Sequence, residues 1–356
     1  VKRLRSFCID RLGLESLLAL AVKKQVPIHG TTVCYFLGGM AVFLFVIQVI
    51  TGALLSLYYK PSPDQAFESV RAIMTEVDYG WLIRSIHCWS ANLLIGVLLL
   101  HLLTTYIMRA YRRPRECTWI TGVLLLGLFM AFGFSGYLLP WNQLAFFATR
   151  VGTAIVGVVP VMGKDMLLLA RGGDNVTGDT LARFYAIHVV ILPLAVFVLL
   201  GVHLYLVQKH GMSIPLWVTA KTGEEKVPTM PFFPHFFLRD MVGWYIALGL
   251  LAALAALFPW DLGLKADPFG SAPAGIRPEW YFLFMFQTLK MLPPHLWGIE
   301  GEVAGVLFFG FCGLVVLLVP FLDFRASQGR SRRLLNLLAA VAVIGFIVMT
   351  AWGLLG

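Results

Sequence analysis

"HCWSANLLIGVLLLH", His87 to His101, is apolar enough to sit in lipid, yet it carries an imidazole at each end. A second stretch, "FYAIHVVILPLAVFVLLGVHLYLV", sets His188 and His203 fifteen positions apart, against fourteen for the first pair. At about 100° per residue, fourteen steps stop about 40° short of four turns and fifteen pass them by about 60°, so on a helix each pair shares a face. At 1.5 Å per residue the two members lie roughly 21–23 Å apart along the axis, one near each surface of a bilayer. A lone histidine on an apolar helix reads as a satisfied core residue; two helices that each carry such a pair read as a site with two levels.

The surrounding chain agrees with a membrane setting. Its 356 residues are 59% hydrophobic and 13% charged, with a mean hydropathy of +0.80, outside the range of soluble domains. Stretches of about 20 apolar residues are long enough to cross a bilayer as helices. Seven are expected, at 33–57, 80–108, 118–138, 183–207, 241–258, 303–322 and 334–355. The fold class is therefore an all-α integral membrane protein: a four-helix bundle over 1–210, a polar, proline-rich linker over 211–240, and a three-helix part over 241–356. No small-residue cleavage site precedes the first span, so no removable signal peptide is expected. The formal net charge of +9 does not point to nucleic acid, because the cations gather in particular loops: Lys2, Arg3, Arg5, Arg11, Lys23 and Lys24 in the amino-terminal arm, Arg109, Arg112, Arg113 and Arg115 between spans two and three, and Arg325, Arg330, Arg332 and Arg333 between spans six and seven. The positive-inside rule puts these on the cytoplasmic (n) side and the carboxyl terminus on the opposite (p) side. The five cysteines, Cys8, Cys34, Cys88, Cys117 and Cys312, form no CxxC or CxxCH, which argues against zinc, a disulfide scaffold or the usual covalent haem attachment.

Spans two and four both descend from p to n, so His87 matches His188 on the p side and His101 matches His203 on the n side. Two imidazoles facing one another in an apolar bundle are what a bis-histidine haem needs. Glycines repeat the spacing: Gly38 and Gly52 on span one, and Gly122 and Gly136 on span three, are each fourteen apart. Because those helices ascend, Gly38 and Gly122 fall at the n-side level, and Gly52 and Gly136 at the p-side level. Clearance for a flat macrocycle is one reading; small-residue helix packing, common in membranes, is the other.

The two histidine layers, the paired glycines and the strings "YGWLIRSIHCWSAN", "RRPRECTWITG", "GFSGYLLPWNQ", "LARFYAIH" and "IRPEWYFLFMFQTLK" together resemble the cytochrome b subunit of the cytochrome bc family of quinol-oxidising complexes. The resemblance runs from about residue 25 to the end. The fifteen-residue step and seven spans are similar to the chloroplast-type branch, whose front and back parts are separate chains but are fused here. The resemblance implies two b-type haems, with iron held by His87 and His188 and by His101 and His203. It further implies that Glu279 of "PEWY" lines a p-side quinol pocket and accepts a proton, with Tyr137, Pro278, Tyr281 and Phe282 as neighbours and Tyr281 taking part with Glu279 in catalysis. A carboxylate raised by an apolar pocket suits that task; a glutamate that merely starts an interfacial helix is the plain alternative. Arg84 is either a snorkelling helix end or, by resemblance, the partner of a p-side haem propionate, and Arg115 has the same choice on the n side. "FFPHFFLRDMVG" resembles a segment that serves n-side quinone reduction, which would make Arg239 and Asp240 its polar groups; a helix-capping aspartate is the alternative. His29, His210, His235 and His295 read as loop residues.

Two positions depart from the branch. Phe36 stands where it carries a haem-attaching cysteine, and Cys34 is about 200° away around a helix, so no covalent haem is expected. Cys88 stands where the branch has an arginine. The resemblance implies electron transfer from quinol to an iron–sulfur partner and through both haems to a quinone, with proton release on the p side and uptake on the n side. The acceptor downstream would be a cytochrome c or a plastocyanin-like protein. The chain has neither an iron–sulfur motif nor CxxCH, so a Rieske-type protein and a c-type cytochrome are expected partners, in a homodimeric complex of a bacterial cytoplasmic membrane. Two rivals are a di-haem anchor of a dehydrogenase or hydrogenase, and a haem-free transporter with a histidine proton relay.

Overall fold

The computed structural model describes residues 11, 24–223, 226–296, 298–323 and 333–355. Of the basic clusters, Lys2, Arg3, Arg5, Lys23, Arg325, Arg330 and Arg332 lie outside the described residues, as does Cys8. The protein is helical, with seven helices long and apolar enough to cross a membrane: Thr32–Ser56, Gly80–Ile107, Glu116–Leu138, Gly178–His210, Phe232–Leu257, Gly301–Leu322 and Arg333–Leu355. Their outer faces carry large apolar side chains open to the surroundings, such as Phe311, Leu337, Ile344 and Val348. Lipid, unlike water, makes no demand to bury them, and the helices satisfy their own backbone polar groups.

Spans one to four form the front bundle. Its core joins Ala41, Leu44 and Phe45 of span one, Leu94 and Ile95 of span two, Leu125 and Phe129 of span three, and Val196 of span four. On span two this core falls midway between His87 and His101, so a plug of apolar side chains separates the two histidine levels. Tyr281, from the back part, completes the same cluster.

The regular helix of span five begins at Phe237, four residues before the expected 241, and Phe232–Phe236, with Phe233 extended, leads into it. Pro234, His235, Arg239 and Asp240 lower the hydropathy of that stretch, and the helix forms regardless, which places Arg239 and Asp240 inside its first turns. Span four starts at Gly178 with a capping box between Thr177 and Thr180. Inside it, Ile187–Ile191 is a π turn, closed by the Leu192 N–H on the Ile187 carbonyl. Pro193 follows; having no N–H, it leaves a carbonyl of the preceding turn without its α-helical donor, and a local π adjustment is a known way to absorb this.

The two ends of the bundle are closed differently. At the His87 end, the helices Gln143–Gly157 and Gly163–Arg171 cover a second apolar cluster that includes Phe67, Leu138, Trp141, Phe146, Leu181 and Leu262. Asn142 caps the first of them through the Ala145 N–H at 2.8 Å and donates to the Leu262 carbonyl at 2.7 Å, tying front to back. At the His101 end, strand β1 (Gln25–Pro27) pairs antiparallel with β2 (Thr229–Pro231). Arg112 donates to the Ile214 carbonyl at 2.7 Å. The linker is thereby fastened to the amino-terminal segment and to the loop between spans two and three. Trp119 donates to Val316 at 2.8 Å and Tyr106 to Leu335 at 3.0 Å, which holds spans six and seven to the front bundle. A second short ladder, β3 (His295–Leu296) with β4 (Ile299–Glu300), precedes span six.

Candidate functional site

The fifteen-residue step of span four and the fourteen-residue step of span two are reconciled by the π turn. His188 sits within it, and a single π turn takes up one extra residue, so fifteen positions advance around the helix about as far as fourteen. His188 consequently faces His87, with ring centroids 6.4 Å apart and planes at 71°. A metal held by both rings through nitrogen–metal bonds of about 2 Å, with roughly 1 Å from each nitrogen to its ring centre, would need centroids about 6 Å apart, so the two imidazoles fit such a group.

The tautomers follow from the hydrogen bonds. Thr51 Oγ1 lies 2.9 Å from His87 Nδ1 and sends its own proton to the Ile47 carbonyl at 2.6 Å, so the ring nitrogen must donate. Thr121 Oγ1 stands 2.9 Å from His203 Nδ1 and donates to Cys117 O at the same distance. Ser135 Oγ is 3.1 Å from His188 Nδ1. The carbonyls of Phe132 and Thr118, which can only accept, also bond the rings of His188 and His203. An Nδ1–H imidazole keeps its lone pair on Nε2, the arrangement of histidines that bind metal with the other nitrogen held by an acceptor. His101 is the exception: its Nδ1 is buried without a partner. Among the described residues no cluster of three or more His, Cys, Asp or Glu could hold a bare ion. Each level offers a pair of imidazoles, which suits a metal that brings its own macrocycle.

All four glycines touch histidines. A Cβ on Gly38 would stand 3.4 Å from His101 Cε1, on Gly52 3.3 Å from His87 Cε1, on Gly122 3.2 Å from His203 Cε1, and on Gly136 2.6 Å from His188 Cε1. Among the protein's own atoms an added methyl would meet the imidazole edge first, so the glycines give the rings room. The hydroxyl partners were not visible as such in the sequence, although Thr51, Thr121 and Ser135 each directly precede one of these glycines.

Next to the His87 level lies Glu279. It is the N-cap residue of the helix Trp280–Met291, yet its side chain makes no capping bond. Its carboxyl is within electrostatic reach of Cys88, Tyr137 and Tyr281, and burial pushes it above the ordinary carboxylate range. Burial first, and the nearby Glu279 second, push the Tyr281 phenol up as well. Tyr281 is 4% exposed and its hydroxyl fills the space beside Gly133 that a side chain there would take. Phe282 packs edge-on against Phe134 at 6.4 Å, and Pro278 is half-buried just before Glu279. Two residues missed from sequence anchor this corner: Trp280 Nε1 donates to Asn92 Oδ1 at 2.8 Å, and Asn92 Nδ2 donates to the Cys88 carbonyl at 3.0 Å. The helix that carries His87 and the helix that follows Glu279 are held together by one amide.

Arg84 is buried and donates to the carbonyls of Trp260 at 2.6 Å and Asp261 at 3.1 Å. Arg115 donates to those of His210 at 2.8 Å and Gly211 at 3.3 Å. Arg239 and Asp240 are not brought together: Arg239 approaches the Met230 sulfur at 3.8 Å, whereas the Asp240 carboxylate packs on Gly39 of span one with Oδ1 buried and unpartnered. Phe36 stacks on Phe236 and Cys34 is a free, half-buried thiol. His29 Nε2 lies 2.7 Å from the Tyr35 hydroxyl, which donates to the Ser213 carbonyl.

Comparison with known proteins adds a family. The profile described as "Cytochrome b/b6/petB" matches residues 22–211, and that described as "Cytochrome b(C-terminal)/b6/petD" matches 265–355. The chain is 44% identical over 332 residues, 92% of its length and 75% of the relative's, to a cytochrome bc complex cytochrome b subunit of Chlorobaculum thiosulfatiphilum. It is 40% identical over 207 residues, 58% of its length and 94% of the relative's, to cytochrome b6 of Prochlorococcus marinus. A chain of the solved structure titled "Hyperthermophilic respiratory Complex III" superposes with a TM-score of 0.85 at 32% identity, covering 98% of this chain and 90% of that one.

Proposed function

Because the chain belongs to the cytochrome b/b6 family and is a cytochrome b subunit of a cytochrome bc-type complex, we propose that it oxidises quinol beside Glu279 and reduces quinone at the opposite surface, carrying electrons across the membrane between them. The observation that carries this reading is the His87–His188 pair, 6.4 Å apart, with each Nδ1 committed to an acceptor and an unbonded glutamate close by. His87 with His188 and His101 with His203 would hold two b-type haems. Bound there, they supply one-electron redox centres at two depths of the membrane.

The chain's own residues do the rest. Glu279 takes a proton from the quinol hydroxyl; its lack of a cap bond leaves it free to turn, and its raised carboxyl lets it hold the proton until it reaches water. Tyr281 and Tyr137 border that carboxyl, while Pro278 and Phe282 supply apolar wall. Arg84 and Arg115 use carbonyl acceptors here, and a guanidinium, which can bond several acceptors through its five N–H donors, suits a haem propionate as a further partner. Arg239 and Asp240 serve the n-side quinone site, Asp240 as the proton donor. With Phe36 at the position before the first-span Leu37-Gly38-Gly39, haem is held by coordination alone and not through a thioether.

The sidedness is that of the basic loops: amino terminus on the n side, Glu279 on the p side, in a bacterial cytoplasmic membrane. The division into a four-helix part (1–210), a linker (211–240) and a three-helix part (241–356) assigns haems to the first and the quinol loop to the last. Partners are a Rieske-type iron–sulfur protein and a c-type cytochrome in a homodimeric complex that translocates protons, with cytochrome c or a plastocyanin-like protein as the acceptor. A reduced-minus-oxidised spectrum of the purified complex, followed by addition of quinol under anaerobic conditions, tests this. A b-type band that quinol reduces is the expected result; the absence of that band refutes the proposal.

A further inference from the structure

Three of the four histidine-facing glycines are preceded by a hydroxyl residue: Thr51–Gly52, Thr121–Gly122 and Ser135–Gly136. In each, the glycine lies against Cε1 of a histidine while the hydroxyl oxygen reaches Nδ1 of the same ring. Two adjacent residues thus do two jobs: one makes room for the imidazole, the other fixes its tautomer. At the fourth place the pair is Leu37–Gly38. Gly38 still seats His101, but leucine offers no acceptor, and His101 Nδ1 is the one ring nitrogen of the four left buried without a partner. The His87–His188 level therefore has an acceptor on both rings, and the His101–His203 level on one.

We propose that the three hydroxyl–glycine units are positioning and tuning sites for the haem-binding histidines, and that Leu37, by leaving His101 without an acceptor, raises the reduction potential of the His101–His203 level relative to the other. The physical ground is that an acceptor on Nδ1–H increases the basicity of the imidazole, and a more basic axial ligand favours the oxidised metal. Two acceptors against one bias an electron toward the His101–His203 level, the direction that quinol oxidation beside Glu279 requires. The inference rests on the haem-binding reading above, and its test separates the two.

Midpoint potentials of the intact complex, read at the b-type band, are compared for the unmodified protein, Thr51→Val, Thr51→Ser and Leu37→Thr. Thr51→Val keeps the shape of the side chain and removes the acceptor; it is expected to raise the potential of the His87–His188 level by an amount equal to roughly a tenfold change in the oxidised-to-reduced preference, about 59 mV for one electron. Thr51→Ser restores the oxygen and should restore the potential. Leu37→Thr adds an acceptor and should lower the potential of the His101–His203 level, leaving the other unchanged. Unshifted potentials in both Thr51→Val and Leu37→Thr, at full band intensity, overturn the inference while leaving the haem-binding reading intact. Should Thr51→Val fail to retain haem, Leu37→Thr alone decides, and an unshifted potential there refutes the proposal. Absence of any b-type band in the unmodified complex refutes the haem-binding reading itself.

Discussion

Glu279→Gln separates a proton acceptor from a helix start. The side chain of Glu279 makes no capping bond to the helix that follows it, and the ion pairs of the described residues, which join Arg71 and Lys265 to Glu68 and Arg113 to Glu116, do not include it. The loss of about 1 kcal/mol that removing a capping side chain typically brings has no source here. Neither haem should be lost, since the proposed ligands are the four histidines and Glu279 is not among them. General acid–base help is worth about 10²–10⁴-fold; with water as partial substitute, Glu279→Gln should lose at least roughly tenfold in turnover, about 1.4 kcal/mol of barrier. Glu279→Asp keeps the acid with one methylene less of reach and should fall between the two. The pH dependence follows from the direction of the shift. Burial raises the carboxyl, and only the ionised form accepts a proton, so the rate should climb as pH rises through that raised value; Glu279→Gln should lack this limb. Stability runs the other way: the folded state binds more protons than the unfolded one between the ordinary and the raised value, so stability falls as pH rises through that window, and Glu279→Gln removes the fall. Steady-state quinol oxidation by the three proteins across pH, with haem content measured alongside, is the assay. Full turnover of Glu279→Gln at normal haem loading, or an unchanged alkaline rise, would refute the reasoning.

The histidine pairs should act as units: His87→Ala and His188→Ala each remove the same haem and spare the other, while His101→Ala and His203→Ala remove the second, as optical and electron paramagnetic resonance spectra of the four variants would record. The glycines should be unequal. An added Cβ stands 2.6 Å from His188 at Gly136 but 3.4 Å from His101 at Gly38, so Gly136→Ala should lose most of the His87–His188 haem and Gly38→Ala little, measured as haem per protein. Deleting Val190, which is exposed on the π turn, shortens the His188–His203 step to the fourteen residues of span two; the turn should relax to α-helix and both haems remain, and loss of either spectrum would count against the register argument.

How far the sequence could be read depended on whether a feature lay within one helix or between two. The histidine pairs were legible because each sits on a single apolar run, where composition and the helical period suffice, and the same holds for all seven spans. The start of span five was not, because Pro234, His235, Arg239 and Asp240 carry enough polarity to look like a loop, while the helix they begin is stabilised by neighbours such as Phe36 stacked on Phe236 and Phe43 on Trp244. The fifteen-residue step was visible as a number, but not its remedy: nothing in "IHVVILP" states that the backbone will insert a π turn ahead of Pro193. Asn92 and Trp280 are far apart in the chain and join only once the back part docks on span two.

The threonines and the serine at the histidine levels belong to the same class of between-helix feature. Hydroxyl residues are ordinary in membrane helices, where they bond the carbonyl a turn behind, as Thr51 does with Ile47 and Thr121 with Cys117. That local bond gives them their second use. With its proton sent backward along its own helix, the hydroxyl oxygen has lone pairs left to accept from a ring on the neighbouring helix, and the following glycine lets that ring come close enough. Position in the helix thus converts a residue of no obvious function into one that sets which nitrogen of an imidazole is free. The pattern also explains why the glycine spacing and the histidine spacing agree: a glycine–histidine contact and a hydroxyl–Nδ1 bond made by adjacent residues must repeat at the interval at which the histidines repeat. Leu37 breaks the chemical half of that pattern and keeps the steric half, since Gly38 still meets His101. A glycine therefore faces the ring at all four places, tightest at Gly136 and loosest at Gly38, whereas the acceptor stands at three. A part that varies while its neighbour does not is where one level of the bundle can differ from the other without disturbing the packing of either.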